Sequence, residues 1–233
     1  LYYDDSILLK RLSLYPYVQL GVMVLFVLIV YFALISTKKA EQNKVWVGLS
    51  KETAHQLGTP ISSLMAWMDL LESSGVDPSL LSDMNKDVNR LSIIAERFSK
   101  IGSKPEMELI YVNEVLENAT EYMRRRVSDK VLITTHLPSD AEGAMVCLSL
   151  FEWVIENLCK NAVDAMNGEG RIDVYMTSEK QQIYIDIKDT GKGIARKNFK
   201  TVFNPGYTTK KRGWGLGLTL AKRIIEDYHA GRI

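Results

Sequence analysis

Between Leu12 and Thr37 the chain carries 26 consecutive residues without an Asp, Glu, Lys or Arg. The centre of this run, Tyr17–Ile35, is 19 residues long and would measure about 28 Å as an α-helix at 1.5 Å per residue. That length matches a bilayer hydrocarbon core of roughly 30 Å. Thirteen of the residues from Val18 to Ile35 are Val, Leu, Ile or Phe, a content worth roughly 4 to 8 kcal/mol of insertion. Tyr15, Tyr17, Tyr31 and Phe32 stand towards the two ends as a loose aromatic belt. A cleaved leader fits less well, because the run is too long and lacks a small-residue cleavage site. Lys10 and Arg11 flank one end, whereas Lys38, Lys39, Lys44 and Lys51 follow the other. The positive-inside rule therefore puts the C-terminal side in the cytoplasm. Residues 1–37 read as one membrane-proximal segment and one transmembrane helix.

The rest of the chain has an ordinary soluble composition. All but four of the charged residues (Asp4, Asp5, Lys10, Arg11) follow the span, and the net charge is only +1. Such a balance leaves no electrostatic footprint for nucleic acid. A 46% apolar chain can bury a core, which excludes low-complexity disorder. Cys147 and Cys159 cannot build a disulfide framework, and without a nearby His they make a poor metal site.

After the span the apolar pattern becomes periodic. Leu57, Ile61, Leu64, Met68 and Leu71 recur at steps of four and three, as do Leu81, Met84, Val88, Leu91, Ala95 and Phe98. Both are narrow bundle seams. Between them Ser73–Pro78 holds Gly75 and Pro78 as helix breakers. One hairpin with a seam on each helix cannot close a core alone, so residues 38–104 predict a homodimeric four-helix bundle. His55 falls two positions before Leu57, beside the seam, and should face solvent. Pro60 should bend the helix next to it.

From Lys104–Pro105 onward, residues 105–233 read as mixed α/β. Strands are expected near Met107–Val112 and Val131–Leu137, with a helix near Asn113–Arg126. Ser149 with Glu152 reads as a capping box that opens a second helix, ended by Asn167–Gly168. Two alternating strands follow, marked by Ile172, Val174 and Met176, then Ile183, Ile185 and Ile187. The economical architecture is α+β, with helices layered on one face of a mostly antiparallel sheet. The chain has neither a Walker nor a Rossmann glycine loop. It has three other clusters instead. Asn157 and Asn161 lie one helical turn apart on one face. Asp189-Thr-Gly191-Lys-Gly193 closes the second alternating strand. Gly213, Gly215 and Gly217 precede a last helix that runs to about Tyr228, where backbone amides can approach phosphate oxygens.

In this order the clusters resemble the boxes of sensor histidine kinases of two-component systems. Ala54–Pro60 resembles the phosphoacceptor box and Asn157–Asn161 the N box. Asp189–Gly193 is similar to the first glycine box, Phe203–Lys210 to the F box, and Gly213–Gly217 to the second glycine box. The resemblance covers about four-fifths of the chain, from Lys44 onward. It implies a Bergerat-type (GHKL) α/β sandwich for ATP behind a phosphotransfer hairpin.

Residue by residue, the resemblance implies that Asp189 accepts the adenine amine. It implies that Asn161 ligates Mg²⁺ and that Asn157 and Lys160 contact phosphates. Gly191, Gly193, Thr208, Thr209, Lys210, Gly213, Gly215 and Gly217 complete the ATP site, under a lid from Ala195 to Arg212. His55 would take the γ-phosphoryl group and pass it to an Asp of a response regulator, the expected partner beside a second copy. ATP-hydrolysing relatives of the gyrase and Hsp90 types carry a water-activating Glu where this chain has Asn157. An amide cannot take that proton, so rapid hydrolysis is disfavoured.

The chain departs from the family at Gln56, where the resemblance leads one to expect an acidic residue. Its amide oxygen can fix the His55 tautomer but cannot take a proton. Thr59, one turn after His55, matches the position that supports regulator dephosphorylation. Trp214 is bulkier than the usual residue there. The expected setting is the inner (cytoplasmic) membrane of a bacterium. The ATP part is expected to be incomplete at its C-terminus and the chain to be a piece of a longer protein. Gln56 also supports an alternative, an ATP-binding scaffold that does not phosphorylate itself.

Overall fold

A computed structural model describes residues 7–140, 142–210 and 215–233. The charge-free run and the first seam belong to one helix, α1 (Ile7–Ser73), of 67 residues, about 100 Å at 1.5 Å per residue. Within it Tyr15–Lys38 is long and apolar enough to cross a membrane, and none of it is buried. The expected boundary between residues 37 and 38 thus falls inside a continuous helix. Pro60 also lies within it.

α1 ends where Gly75 takes a positive φ of 77° and the Ser73 and Ser74 hydroxyls donate back to the Leu70 carbonyl, each at 2.7 Å. α2 (Pro78–Ile101) opens on Asp77, whose carboxylate accepts the Ser79 N–H at 2.9 Å. Pro at the first helical position has no N–H to leave unpaired. The two helices pack Ile61 and Met68 against Val88 and Ala95, with Leu57 at the edge. The expected seams therefore divide by heptad row. Ile61 and Met68, and Leu81, Val88 and Ala95, are buried in steps of seven, whereas Leu64, Met84 and Leu91 stay 40–45% exposed.

The remaining residues build β1 (Glu108–Tyr111), α3 (Val112–Arg124), β2 (Val131–His136), β3 (Gly143–Val146), α4 (Leu148–Ala165), β4 (Gly170–Glu179), β5 (Gln182–Asp189) and α5 (Gly217–Arg223). α5 continues as a π-helical turn over Ile224–Tyr228. β1 pairs with β3, and a separate three-stranded sheet runs β2-β4-β5. β2 and β4 are parallel and β4 and β5 antiparallel, so the main sheet is mixed where a mostly antiparallel one was expected. A parallel pair needs a crossover between its strands, and here β3 and α4 supply it. Ile172, Val174 and Met176 pack on Val115, Leu116 and Ala119 of α3 and on Phe151, Ile155 and Cys159 of α4. Ile172, Val174 and Met176 are buried and Ile183, Ile185 and Ile187 half-buried, on the alternation expected of both strands.

One local expectation fails. α4 starts at Leu148 with Cys147 as its N-cap, and no side chain caps it. Ser149 sits inside the first turn, and its hydroxyl accepts from Lys100 Nζ at 2.8 Å. That contact ties α2 to α4 in place of a capping box. The junction continues through Arg97, whose guanidinium donates to both oxygens of Glu156 at 2.6 and 2.8 Å. Phe98 meets Trp153 edge-on at 5.6 Å, and the Tyr228 hydroxyl donates to the Ile101 carbonyl at 2.7 Å.

Candidate nucleotide and phosphoacceptor sites

α4 is the platform of the first site. Its buried face (Phe151, Ile155, Cys159, Ala162) sits on the sheet. This packing leaves Asn157, Asn161 and Asp164 on another side at helical spacings of four and three. Asn157 Nδ2 is enclosed and has no hydrogen-bond partner among the described residues. A buried donor left in that state is costly unless a ligand or water meets it. Gly217, at the start of α5, stands opposite both amides: a Cβ there would lie 3.4 Å from Asn157 Oδ1 and 3.8 Å from Asn161 Nδ2. Lys160 is exposed.

The Asp189–Gly193 loop is clamped to the C-terminal end of α4, one turn beyond Asn161. The Lys192 N–H donates to the Ala165 carbonyl at 3.2 Å. A side chain at Gly191 would stand 2.8 Å from Ala165, so only glycine admits this approach. Asp189 Oδ1 accepts the Gly191 N–H at 2.8 Å, which leaves Oδ2 for a donor such as an exocyclic amine. Thr190 accepts the Arg171 N–H at 3.0 Å and donates to Met166 Sδ, fixing the loop from its other side.

The expected lid region folds as two 3₁₀ turns, Arg196–Asn198 and Thr201–Phe203. It is held to α5 where Thr219 donates to the Phe203 carbonyl at 3.0 Å. Gly206 donates to the Gly215 carbonyl at 3.2 Å. Gly215 has a φ of +64°, and a Cβ would stand 2.5 Å from the Gly206 carbonyl carbon, so backbone strain and crowding both require glycine. The Thr208 hydroxyl accepts the Lys210 N–H at 3.1 Å, and Thr209 is exposed. The Lys210 ammonium reaches across to Asn161 Oδ1 at 3.0 Å and to the Asp164 carboxylate. Gly213, Trp214 and the expected end of the lid at Arg212 lie outside the described residues.

The second site is on α1. His55, Gln56 and Thr59 are all exposed, as their place beside the seam predicts. The Gln56 amide Nε2 donates to Glu52 Oε1 at 2.6 Å, which leaves Gln56 Oε1 available to an imidazole N–H. Thr59 Oγ1 lies 3.5 Å from the His55 carbonyl, at the outer limit of hydrogen-bond length.

Sequence reasoning gave no role to Glu52, Arg97, Glu156 or Asp164. Spacing alone places Asp164 on the face of Asn161, but its partner comes from 46 residues away. The two remaining histidines and Cys159 make their contacts within the fold. His229 accepts the Cys147 N–H on Nε2 at 3.0 Å and meets the Ile224 carbonyl through Nδ1 at 2.8 Å. His136 stacks on Tyr175 at 4.4 Å. Burial pushes the Cys159 thiol up to about 11, so it is not a nucleophile.

Unpaired Asn157, the bare glycine opposite it and the Lys210 ammonium on Asn161 fit a phosphorylated ligand with a cation. Residues 148–233 match the family of histidine kinase-, DNA gyrase B-, and HSP90-like ATPases. Sporulation kinase A of Bacillus subtilis is 24% identical over 196 residues, covering 82% of this chain and 32% of that protein. The histidine-protein kinase AtoS of Escherichia coli is 28% identical over 189 residues, covering 77% and 31%. Residues 148–233 thus carry a GHKL-type ATPase domain, and the chain as a whole is similar to sensor histidine kinases. The sensor histidine kinase ZraS of Salmonella typhimurium is 24% identical over 209 residues, covering 86% of this chain and 45% of that protein. The chain spans about a third to less than half of the length of these curated relatives.

Among solved structures, full-length ShkA in complex with AMPPNP superposes with a TM-score of 0.56 at 18% identity, covering 77% of this chain and 40% of that one. The catalytic domain of the histidine kinase ThkA gives 0.51 at 23%, covering 55% and 86%. Both likenesses are of fold. The α4 platform, the Asp189 loop and α5 all lie within residues 148–233, the stretch that matches the ATPase family.

Proposed function

We propose that this homologue is a membrane-anchored, dimeric protein-histidine kinase. It uses ATP to phosphorylate His55 and passes the group to an Asp of a response regulator. The observation that carries this reading is the gathering of Asn157, Asn161, the Asp189 loop, Lys210 and Gly217 on one side of α4, in a chain whose hairpin presents an exposed histidine. The exposed apolar stretch Tyr15–Lys38 supports the anchor, in the inner membrane of a bacterium. The exposed heptad row Leu64, Met84 and Leu91 supports a second hairpin as its cover.

ATP supplies the transferable phosphoryl group, and its Mg²⁺ neutralises phosphate charge; catalysis is then largely positioning. Asp189 accepts the adenine amine through the oxygen that Gly191 leaves free. Asn157 offers its unpaired Nδ2–H to a phosphate, Asn161 would hold the cation, and Lys160, Thr208 and Thr209 are exposed for phosphate contact. His55 attacks through one ring nitrogen, while Gln56 accepts the N–H of the other and so selects the tautomer. Asn157 cannot deprotonate water, and Glu156 is occupied by Arg97, so neither drives hydrolysis. Thr59 orients water for dephosphorylation of the regulator.

Incubation of the protein with labelled ATP tests the reading. An acid-labile, base-stable label that disappears in His55→Ala is expected. Nucleotide binding without label would make the chain a scaffold, and steady phosphate release would make it an ATPase. Regulator dephosphorylation unchanged in Thr59→Ala would remove the role given to that residue.

A further inference from the structure

The oxygen pair on α4 already holds a cation. Asn161 Oδ1 and Asp164 Oδ2 both accept from the single ammonium of Lys210. An exposed ion pair is ordinarily worth little, and these two side chains are about two-fifths exposed, so stability is a poor reason for the arrangement. Its chemistry is more telling. Asp164 lies three residues after Asn161, on the same helix face. The two supply one neutral and one anionic oxygen, both hard donors. A small divalent cation such as Mg²⁺ keeps several waters and is usually held by one or two protein oxygens together with substrate phosphates. Among the described residues no group of three His, Cys, Asp or Glu could hold a metal by itself. A cation on this pair therefore has to draw its other ligands from a bound nucleotide and water.

Resting on the nucleotide site proposed above, we infer that Asp164 completes a cation seat with Asn161 and that Lys210 is the resident occupant of that seat. A divalent cation arriving with the nucleotide takes the two oxygens. The ammonium is displaced towards the phosphates, which carry the compensating negative charge. The exchange makes and breaks no covalent bond. It raises the charge at the seat from one to two, and it couples cation binding to movement of the Thr208–Lys210 turn.

The two residues have opposite effects in this scheme. Asp164 attracts the divalent cation, whereas Lys210 competes with it. The test uses the full chain in detergent, a non-hydrolysable ATP analogue at fixed concentration, and Mg²⁺ titrated from zero, with analogue binding as the readout. Asp164→Asn is expected to raise the Mg²⁺ midpoint by about tenfold, the scale of losing one supporting group at a metal site. Lys210→Met is expected to lower it. Both substitutions are at exposed positions, and unchanged thermal midpoints would confirm folding. An unshifted midpoint in Asp164→Asn, or shifts of the same sign in both variants, would overturn the inference and leave a plain clasp. Binding of the analogue that ignores Mg²⁺ in the parent would also overturn it while sparing the nucleotide site. A parent that binds no analogue would overturn both.

Discussion

The hairpin and the ATP-binding region solve the burial problem differently. The ATP-binding region closes its core within one chain: α3 and α4 cover the inner face of β2-β4-β5, and Leu116, Ile172 and Val174 are fully enclosed. The hairpin buries one heptad row and leaves the other, Leu64, Met84 and Leu91, facing out. A closed core makes a rigid platform suited to a preorganised binding site. A half-closed seam depends on another surface, and its helices can shift against that surface. The sites follow this division. The nucleotide groups are held by contacts from distant segments, whereas His55, Gln56 and Thr59 share one exposed helical turn.

The largest predicted effect tests the closed half. Leu116→Ala should cost about 3 kcal/mol, read as a lower denaturation midpoint of the ATP-binding region with hairpin helicity retained. Loss of both together would show that the two regions fold as one unit. Next, Leu91→Ala should cost about 2 kcal/mol and shift sedimentation from dimer towards monomer, because in the proposed dimer a second hairpin covers Leu91. A cost near zero with an unchanged oligomeric state would show that nothing covers it.

Arg97→Ala addresses the seam between the halves. It leaves Glu156 half-buried and unpaired, and the expected loss is about 1 kcal/mol, reduced from the buried-pair value because Glu156 keeps some solvent. Faster proteolysis in the connection at residues 102–106 is the readout. An unchanged cleavage rate would mean that the junction holds without this pair. The smallest effect is chemical. With the Cys159 thiol at about 11, thiolate is scarce at pH 8, and iodoacetamide should leave it unmodified until the domain unfolds. Rapid modification in the folded protein would contradict the closed core.

The sequence revealed whatever depends on local spacing. The helical turn at Gly75, the exposed face of His55, and the alternation of Ile172, Val174 and Met176 against Ile183, Ile185 and Ile187 all follow from residues a few positions apart. β3 escaped because its four residues, Gly143–Val146, alternate in burial but not in residue type: none of Gly, Ala, Met and Val is polar. Ser149 was misread as a cap because the donor to its hydroxyl, Lys100, lies 49 residues earlier. Arg97 with Glu156, and Lys210 with Asp164, are pairs made by the tertiary fold. No spacing rule brings them together. The exposure of Leu64, Met84 and Leu91 was also hidden, since they obey the same period as the buried seam residues.

The junction gives α1 a second role. Gly102, just past α2, approaches so closely that a Cβ would stand 2.9 Å from the Lys51 backbone nitrogen, and the Arg223 guanidinium lies 6.0 Å from the Trp46 ring. The helix that leaves the apolar span therefore touches the end of α2 at Lys51, one turn before His55, and α5 of the ATP-binding region at Trp46, nine residues before it. A rotation or tilt of α1 would act on nucleophile and platform together.

Everything proposed for this protein turns on nucleotide held on α4 phosphorylating His55. Mapping phosphate by mass spectrometry at neutral pH, after incubation with ATP, tests it most directly in the parent and in Asn161→Ala. Phosphate on His55 is expected in the parent and its loss in the variant, with both proteins folded. Phosphate on another residue, or an undiminished signal on His55 in Asn161→Ala, would contradict it.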